Sequence, residues 1–307
     1  MQCPRRFYYE SILGLSTPQT AATAKGTIAH HAFERIFDHD KTDRTMANAI
    51  AYVRPAWAMM IDPMAERSTV QEGSIEWRLR EANGCFRDLA ELGSKDEARH
   101  LASARDYIEL FPTDRPELID RLLDDAETAV RGWFAMETPS KFDPFERELY
   151  LMEEIAGVTL HGFIDRLDKT VTASGEIRYW ISDYKTGKMP SPRFADEAFF
   201  QLEVYALLIQ ATMGVMPYKM RLIYVNLNSK EAVLSRDVNQ EMLEKTKKKV
   251  KAVMDGIKKS ARSSTWEAKK HVLCDWCPFK SICPAHTSGM EGLLPEEIAK
   301  RTGTRLK

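Results

Sequence analysis

Two aspartates stand near the ends of short, apolar, β-rich segments, and this pattern constrains the fold more than any other feature. The β-rich segments cover residues 145–151, 158–167 and 177–184. Asp165 follows Ile164, and Asp183 lies two residues after Ile181. Turn-forming pairs, Ala156-Gly157 and Ser174-Gly175, separate the segments, as is typical of strands. If the second and third segments pair, the two carboxylates approach one another.

The remaining segments predict a mixed α/β core that contains a helical insertion. In chain order these are a mostly helical start (5–38), a helical block (42–136), the three strands, a helix (195–213), two further strands (218–227 and 232–236), a Lys-rich helix (239–260) and a polar tail. Because the strands do not alternate regularly with helices, a doubly wound parallel sheet is excluded. We predict four parts, which are residues 1–40, 41–137, 138–262 and 263–307.

The composition indicates a globular protein but does not indicate which ligand it binds. With 307 residues, 44% apolar residues and 29% charged residues, the chain is typical of a globular protein with a full core. The formal net charge of −1 does not by itself indicate nucleic acid. A lysine cluster between Lys245 and Lys259 favours phosphate contacts, and its alternative is a solvated helix face. The sequence shows neither a long apolar run nor a signal-peptide pattern, so a cytoplasmic protein without membrane contact is expected.

The two aspartates and a nearby lysine are the residue types that metal-dependent phosphodiester hydrolysis needs. Two neighbouring carboxylates repel unless a cation lies between them, and hard oxygen ligands favour Mg²⁺ or Mn²⁺. Lys185 follows Asp183 by two residues, so on a strand both side chains point to the same face. An ammonium group there orients the attacking water or stabilises developing negative charge. The pattern predicts a metal-activated water directed at a phosphodiester.

A histidine and a second pair of polar residues on predicted helices extend this hypothesis. His30 and Glu34 are four residues apart and share one helix face, from which His30 completes the metal shell and favours Mn²⁺. Taken alone, His30 is more typical of a core histidine, and Gln201 and Tyr205 are ordinary helix residues. The order in which these segments occur, with a strand before each acid, is what favours a site.

Four short motifs together resemble the PD-(D/E)XK nuclease superfamily, in particular its RecB-like branch. They are Gly26-x3-His30, Gly162-x2-Asp165-Arg166, Asp183-x-Lys185 and Gln201-x3-Tyr205. The resemblance covers roughly residues 1–38, 145–226 and 270–285, and it implies a restriction-endonuclease-like mixed central β-sheet flanked by helices. It also implies metal ligation by His30, Asp165, Asp183 and the carbonyl of Tyr184. Lys185 is then the catalytic lysine, and Gln201 and Tyr205 position that lysine or the DNA backbone.

Four of the five cysteines lie at the two ends of the chain, which is a poor framework for disulfides. Cys274, Cys277 and Cys283 are closely spaced, and three thiolates of this kind suit zinc or an iron–sulfur cluster. Cys3 is the natural fourth ligand if the termini meet, and His271 and His286 are the substitutes.

Part of the RecB-like branch offers a parallel for these cysteines. That subset includes the CRISPR-adaptation exonucleases and the AddB nuclease, and it carries one cysteine before the His-bearing helix and three near the C-terminus. The resemblance implies a [4Fe–4S] cluster on Cys3, Cys274, Cys277 and Cys283 that staples the two ends together. Relatives carry a short Ser-rich segment before the first cysteine, so this chain is expected to be short at its N-terminus.

The predicted function is a metal-dependent DNA exonuclease that acts on single-stranded DNA or free ends in recombination, repair or end processing. The sequence has no ATP-binding Gly-x4-Gly-Lys-Ser/Thr motif, so no helicase of its own is evident. The chain is expected to be a stand-alone exonuclease, or the nuclease subunit of a recombination or repair machine with a helicase or recombination protein as partner. Arg5, Arg6, Tyr8 and Tyr9 are predicted near the mouth of the site, where aromatic rings stack on unpaired bases. The alternatives are a non-catalytic DNA-binding or scaffold protein of the same fold, and a CRISPR spacer-processing nuclease.

Overall fold

The computed structural model describes residues 3–16, 20–65, 116–227, 230–287, 293–297 and 305–306. Most of the predicted helical insertion, residues 66–115, lies outside the described residues. The chain divides into two compact units. The larger unit comprises residues 19–247, and the smaller unit comprises residues 1–18 and 248–307.

A mixed five-stranded sheet organises the larger unit. Its strands are β2 (Glu146–Ile155), β3 (Val158–Val171), β4 (Ile177–Lys185), β5 (Lys219–Tyr224) and β6 (Val233–Asp237), in the spatial order β2-β3-β4-β5-β6. Neighbouring strands are antiparallel except for β4 and β5, which are parallel. A parallel pair needs a long crossover, and helix α6 (Ala195–Met213) provides it with the bounds that the sequence predicted. The mixed sheet with flanking helices is compatible with a restriction-endonuclease-like fold.

A two-residue turn sets the register of the β2–β3 hairpin. Ala156 and Gly157 have φ values of 54° and 72°, as a type I′ turn requires. Ile155 therefore pairs with Val158, and the same register continues back to the start of β2. The ladder is interrupted at one position, where Glu148 lies opposite Asp165.

Helices cover both faces of the sheet. On one face lie α2 (Ala21–Arg35), α3 (Met46–Ala51), α4 (Val53–Ala65) and α5 (Pro116–Met136). Their buried side chains form one apolar cluster with Tyr184 and Ile223 of the sheet. Helix α6 packs on the other face, where Leu202 and Leu208 join Ile164 and Leu222 in a second cluster. Among the described helices, none is both long and apolar enough to cross a membrane.

The smaller unit contains both ends of the chain. Helix α1 (Pro4–Phe7) continues into a π-helical turn (Tyr8–Ile12), and strand β1 (Leu15–Ser16) pairs with β7 (Arg305–Leu306). The sequence predicted mostly helix across this region, but Gly14 has a φ of 68° and separates the helical turns from β1. The boundary between the two units falls within the last long helix, α7 (Gln240–Ser263).

Candidate active site

Asp165 and Asp183 lie where strands β3 and β4 diverge. The β3–β4 ladder begins with Arg166 opposite Ser182, so the two aspartates are the next positions beyond its end. Strand β4 pairs with β5 from Trp180 to Lys185, so that ladder continues past the end of the β3–β4 ladder. Tyr184 lies beyond the end of the β3–β4 ladder, and its peptide N–H donates to the Asp165 side chain, at Oδ2, with a distance of 2.8 Å. Divergence thus frees side chains of both strands to meet in one pocket.

His30 reaches the same place from helix α2. Its Nε2 lies 2.9 Å from the carbonyl oxygen of Tyr184 and donates to it when the proton is on Nε2. The Nδ1 lone pair then faces Asp165 Oδ2 at 3.5 Å. Two electron-rich atoms at this distance are stabilised by a cation that both can bind.

A glycine allows α2 to approach the end of β4. A Cβ atom built on Gly26 would lie 3.2 Å from Thr186 Oγ1, closer than most Cβ contacts. One turn later His30 occupies the same side of the helix, since residues four apart share a face. Phe33 packs against the Tyr184 ring with 4.9 Å between ring centroids. This packing gives the Gly26-x3-His30 spacing a physical reason.

Glu148 adds a third carboxylate, which the sequence analysis missed. Ligand atoms of His30, Glu148 and Asp165 all lie within 4.8 Å of one another. Glu148 is buried and has a φ of 44°, in a region that non-glycine residues adopt at a cost of about 1–3 kcal/mol. If residues are counted along both strands from the Ala156-Gly157 turn, Glu148 falls opposite Asp165. This count could have predicted Glu148 as a site residue from the sequence.

Where the β2–β3 ladder is interrupted, consecutive side chains point to the same face of the sheet, the one covered by α2 and α5. Arg147 donates to the Glu34 carbonyl of α2, and its neighbour Glu148 reaches His30. On β3, Asp165 meets His30 and its neighbour Arg166 pairs with Glu137, which follows α5. In a regular strand, consecutive side chains point to opposite faces. The local distortion therefore supplies an acid and an arginine from each strand to one side of the sheet.

Asp183 is buried and electrostatically strained. Burial, and then the charge of Asp165, raise the pKa of Asp183 to about 7, against the opposing effect of Lys185. Asp183 Oδ2 lies 2.7 Å from Lys185 Nζ as an ion pair, but without the angular geometry of a hydrogen bond. Among the described residues this oxygen accepts no hydrogen bond. A buried carboxylate oxygen of this kind fits a metal ligand.

A chain of hydrogen bonds holds the lysine. Lys185 Nζ donates to Gln201 Oε1 at 3.3 Å, and Gln201 Nε2 donates to the Tyr205 hydroxyl at 2.7 Å. A Cβ on Gly162 would lie 2.5 Å from Tyr205 Cε1, so glycine is what lets the Tyr205 ring lie against β3. Burial, together with three nearby carboxylates, raises the pKa of Tyr205 to about 12 and keeps its hydroxyl neutral.

A buried arginine supports the site from behind. Arg166 makes two hydrogen bonds with Glu137, at 2.7 and 2.8 Å, and one with Asp168 at 3.0 Å. It also donates to the Tyr184 hydroxyl. Although burial opposes its charge, these partners hold the pKa of Arg166 above the usual arginine value. The network fixes Tyr184, whose carbonyl contacts His30 and whose N–H donates to Asp165.

These donors fit a divalent cation. His30, Glu148 and Asp165 offer one nitrogen and several oxygen ligands within 4.8 Å of one another, and the Tyr184 carbonyl contacts His30. Asp183 senses the charge of Asp165 but lies outside this group of three. Oxygen-rich sets of this type favour Mg²⁺ or Mn²⁺. The mutual repulsion of the carboxylates also favours a bound cation.

Comparison with known families agrees with this geometry. The family model of the PD-(D/E)XK nuclease superfamily matches residues 1–284. The chain belongs to the PD-(D/E)XK nuclease superfamily. Among curated proteins, none matches the chain significantly. Nucleases of this superfamily use divalent metal ions and act on DNA, so the acidic pocket is the candidate active site.

In this PD-(D/E)XK protein the four terminal cysteines line one cavity of the smaller unit. The cavity has a volume of about 240 Å³, and Cys3, Cys274, Cys277 and Cys283 lie around it with His271 and His286. All four are free thiols, and burial raises the pKa of Cys277. Within the described residues, no three of these ligand atoms lie within 4.8 Å of one another. The cavity brings the predicted ligands together without forming a compact cluster.

The residues predicted to contact DNA near the N-terminus have other roles in the smaller unit. The Tyr9 ring is buried against Phe279, with 4.8 Å between ring centroids. Tyr8 stacks on Trp266, and Arg6 pairs with Glu10 at 2.8 Å. The prediction that Tyr9 stacks on bases is therefore wrong, because its ring belongs to a small core. Most lysines of α7 between 245 and 259 are exposed, as on a solvated helix face.

Proposed function

We propose that the protein is a metal-dependent DNA exonuclease that hydrolyses phosphodiester bonds in single-stranded DNA or at free DNA ends. The observation that carries this proposal is the convergence of His30, Asp165 and Asp183 around the Tyr184 peptide, with Lys185 alongside. Recombination, repair or end processing is the setting that the resemblance to the RecB-like branch supports.

Each side chain has a distinct task in this proposal. When bound, the metal ion lowers the pKa of a coordinated water and neutralises charge on the phosphate. His30, Glu148, Asp165 and Asp183 hold that ion. Lys185 orients the attacking water and stabilises negative charge as the new P–O bond forms and the bond to the leaving oxygen breaks.

Gln201 and Tyr205 act as positioning residues. The amide of Gln201 accepts from Lys185 and donates to the Tyr205 hydroxyl, so it limits the rotamers of a flexible lysine. A catalytic group held within a narrow range of positions loses less entropy in the transition state. Because α6 is the crossover between the parallel strands, this positioning rests on a rigid element.

An assay with end-labelled single-stranded DNA and Mg²⁺ or Mn²⁺ tests the proposal. The wild type is expected to degrade linear strands and to spare closed circles. Lys185→Ala is expected to lose at least about a hundredfold in rate, as when one group that stabilises developing charge is removed. Lys41→Ala serves as the matched control, since Lys41 pairs with Asp143 on the surface.

Two results would contradict the proposal in different ways. If wild type and Lys185→Ala behave alike with both metals, the protein is a DNA-binding scaffold of the same fold. If circles are cut as fast as linear strands, the enzyme is an endonuclease. A helicase or recombination partner, which the resemblance to the RecB-like branch supports, is tested by co-purification from native cells.

We also propose that Cys3, Cys274, Cys277 and Cys283 bind a [4Fe–4S] cluster. Their common cavity supports this assignment. A zinc ion with four thiolates at about 2.3 Å holds the sulfur atoms about 3.8 Å apart, whereas a cluster separates them more widely. Anaerobically purified protein is expected to be coloured and to contain iron. A colourless, zinc-loaded sample would overturn the assignment.

A further inference from the structure

The segment between β4 and α6 carries exposed cations beside exposed apolar side chains. We call residues 187–194 the β4–α6 loop. Phe194 is 49% exposed and Met189 is 37% exposed. Lys188 and Arg193 are exposed too, and neither forms an ion pair within the part of the chain that the structure describes. Cations interspersed with an exposed aromatic ring are typical of surfaces that bind single-stranded nucleic acid.

The core of the larger unit does not include the apolar side chains of this loop. The clusters on the two faces of the sheet contain neither Met189 nor Phe194. Phe194 is the N-cap residue of α6, but its side chain makes no capping hydrogen bond. The Arg193 guanidinium lies 5.7 Å from the centroid of the Phe194 ring, and about half of Phe194 stays exposed beside it. The ring is therefore accessible to a ligand.

The charge of the loop favours an anionic ligand. Lys188 and Arg193 are the charged residues between positions 187 and 194. Two acids follow on the first turn of α6, and one of them, Asp196, is paired with Arg236 at 2.6 Å. The other, Glu197, offsets only part of the positive charge. A local excess of positive charge attracts a polyanion such as a DNA strand.

Both ends of the loop are held by hydrogen bonds. At its start, the carbonyl of Thr186 accepts a hydrogen bond from the side-chain amide of Asn226, just beyond β5. At its end, Pro192–Phe194 form a 3₁₀ turn in which the Phe194 N–H donates to the Ser191 carbonyl at 2.9 Å. Two prolines fix φ angles within the loop and restrict the residues before them. A loop that is already restrained loses less entropy when it binds a ligand.

The β4–α6 loop starts and ends close to the predicted catalytic lysine. Lys188 follows Lys185 by three residues, so their Cα atoms are at most about 11 Å apart. Phe194 precedes Gln201 by seven residues, which is about 10 Å along α6. Gln201 in turn accepts from Lys185 Nζ at 3.3 Å. A DNA strand with a phosphate at Lys185 therefore comes within reach of the loop.

We propose that the β4–α6 loop binds the DNA strand next to the phosphate that is cut, with Lys188 and Arg193 on neighbouring phosphates and Phe194 stacked on a base. This inference rests on the proposed nuclease function and deepens it by naming how the substrate is held. Contacts to phosphates and to the face of a base carry no sequence information, so the loop accepts any sequence. An unpaired base offers its face to the ring, so single strands are favoured.

The salt dependence of binding tests the phosphate contacts. Fluorescence anisotropy of labelled oligothymidine, with EDTA present so that no strand is cut, gives the binding constant at each salt concentration. Each phosphate contact on a single strand contributes about 0.7 to the slope of log K against log salt concentration. Lys188→Ala and Arg193→Ala are each expected to weaken binding and to reduce the magnitude of that slope by about 0.7.

Arg121→Ala is the matched control for the two charge substitutions. Arg121 is an exposed cation on α5. It lies about 18 Å along that helix from Trp133, whose ring packs against Tyr184 at the candidate site. This variant is expected to keep both the affinity and the salt slope of the wild type.

Substitution of Phe194 separates stacking from charge. Phe194→Leu is expected to raise Kd about fivefold or more without changing the salt slope, whereas Phe194→Tyr keeps a ring and is expected to bind as the wild type does. On a strand with abasic positions, the wild type is expected to lose the same factor, and Phe194→Leu is expected to cause no further loss. Thermal unfolding of each variant checks that the fold is intact.

The outcomes distinguish failure of the loop assignment from failure of the nuclease proposal. If the wild type cuts DNA and the loop variants bind and cut as well as it does, the assignment is wrong while the nuclease stands. If Lys188→Ala and Arg193→Ala weaken binding but leave the salt slope unchanged, they do not contact phosphates and the assignment is again wrong. If binding depends on the loop as expected but the wild type cuts nothing, the proposed nuclease function fails and the DNA contact stands.

Discussion

Asp165 Oδ2 accepts a 2.8 Å hydrogen bond from the peptide N–H of Tyr184. The carbonyl of Tyr184 faces His30 Nε2 at 2.9 Å, and its hydroxyl accepts from Arg166. One residue thus connects the acid on β3, the histidine on α2 and the buried arginine. Substitutions that move Tyr184 should therefore alter the metal site even where they touch no ligand.

Glu137→Ala should destabilise the protein strongly. Arg166 is almost fully buried, and Glu137 is its bidentate partner. Breaking a buried ion pair from one side leaves an uncompensated charge and costs about 3–5 kcal/mol in the free energy of unfolding. Urea denaturation measures this loss. Glu127→Ala, which removes the surface partner of Arg131 on α5, should cost less than about 1 kcal/mol. Equal effects of the two substitutions would contradict the role assigned to Arg166.

Gly162→Ala should displace Tyr205. The added Cβ would lie 2.5 Å from a ring carbon of a buried tyrosine, and overpacking of this kind costs about 1–3 kcal/mol. Activity should fall too, since Tyr205 holds Gln201 beside Lys185. Gly256→Ala on α7 is the control, because nothing lies within 4 Å of its added Cβ and alanine favours a helix. A fully active, fully stable Gly162→Ala protein would show that the contact has no role.

The effect of a divalent cation on thermal stability should grow with pH. The pKa of Asp183 is raised to about 7 in the folded chain, whereas an unfolded aspartate titrates near about 3.9. Because the folded chain holds the Asp183 proton more tightly than the unfolded chain does, protonation of Asp183 stabilises the fold. This stabilisation is fully present below about pH 4 and is lost as the pH rises through about 7. The ionised carboxylate is also the form that binds metal. Mn²⁺ should therefore raise Tm more at about pH 8 than at about pH 5.

Asp183→Asn is the control for that pH dependence. The variant has no carboxyl group at this position to titrate, so its Tm without metal should change less between about pH 5 and about pH 8 than the Tm of the wild type. If wild type and variant follow parallel curves, Asp183 does not titrate in this range and the assigned pKa is wrong.

Glu148→Gln should weaken metal use without removing the chemistry. Glu148 lies with His30 and Asp165 within 4.8 Å, so the loss of its charge should raise the metal concentration for half-maximal cleavage about tenfold or more. Glu146→Gln, which changes an exposed residue on the same strand, should leave that concentration unchanged. An identical metal dependence for all three proteins would remove Glu148 from the site.

Local sequence patterns predicted much of the sheet and the helix that carries Gln201. The segment Ala195–Met213 is rich in helix-forming residues and ends at Gly214, where φ is 67°, and its bounds were predicted correctly. The order of His30, Asp165, Asp183 and Lys185 along the chain predicted a common pocket. Each of them lies on a helix or strand that its local sequence pattern identified. That the four act as ligands and catalyst stays a prediction.

Features that depend on long-range pairing were not predicted. Glu148 reaches the site only through the hairpin register and an unusual backbone conformation. The Arg166–Glu137 pair joins residues 29 positions apart, and neither residue has a local signal for it. Tyr9 looked available to DNA because its burial depends on Phe279, far along the chain. Tertiary contacts of this kind override local composition.

Manganese titration followed by electron paramagnetic resonance tests the central claim most directly. The acidic pocket at the divergence of β3 and β4 should bind Mn²⁺ in the wild type, and Asp165→Asn should lose that binding while remaining folded. Mg²⁺ should compete for the same site, since both ions prefer oxygen ligands. Equal Mn²⁺ binding by wild type and Asp165→Asn would contradict the account, because the metal would then lie elsewhere.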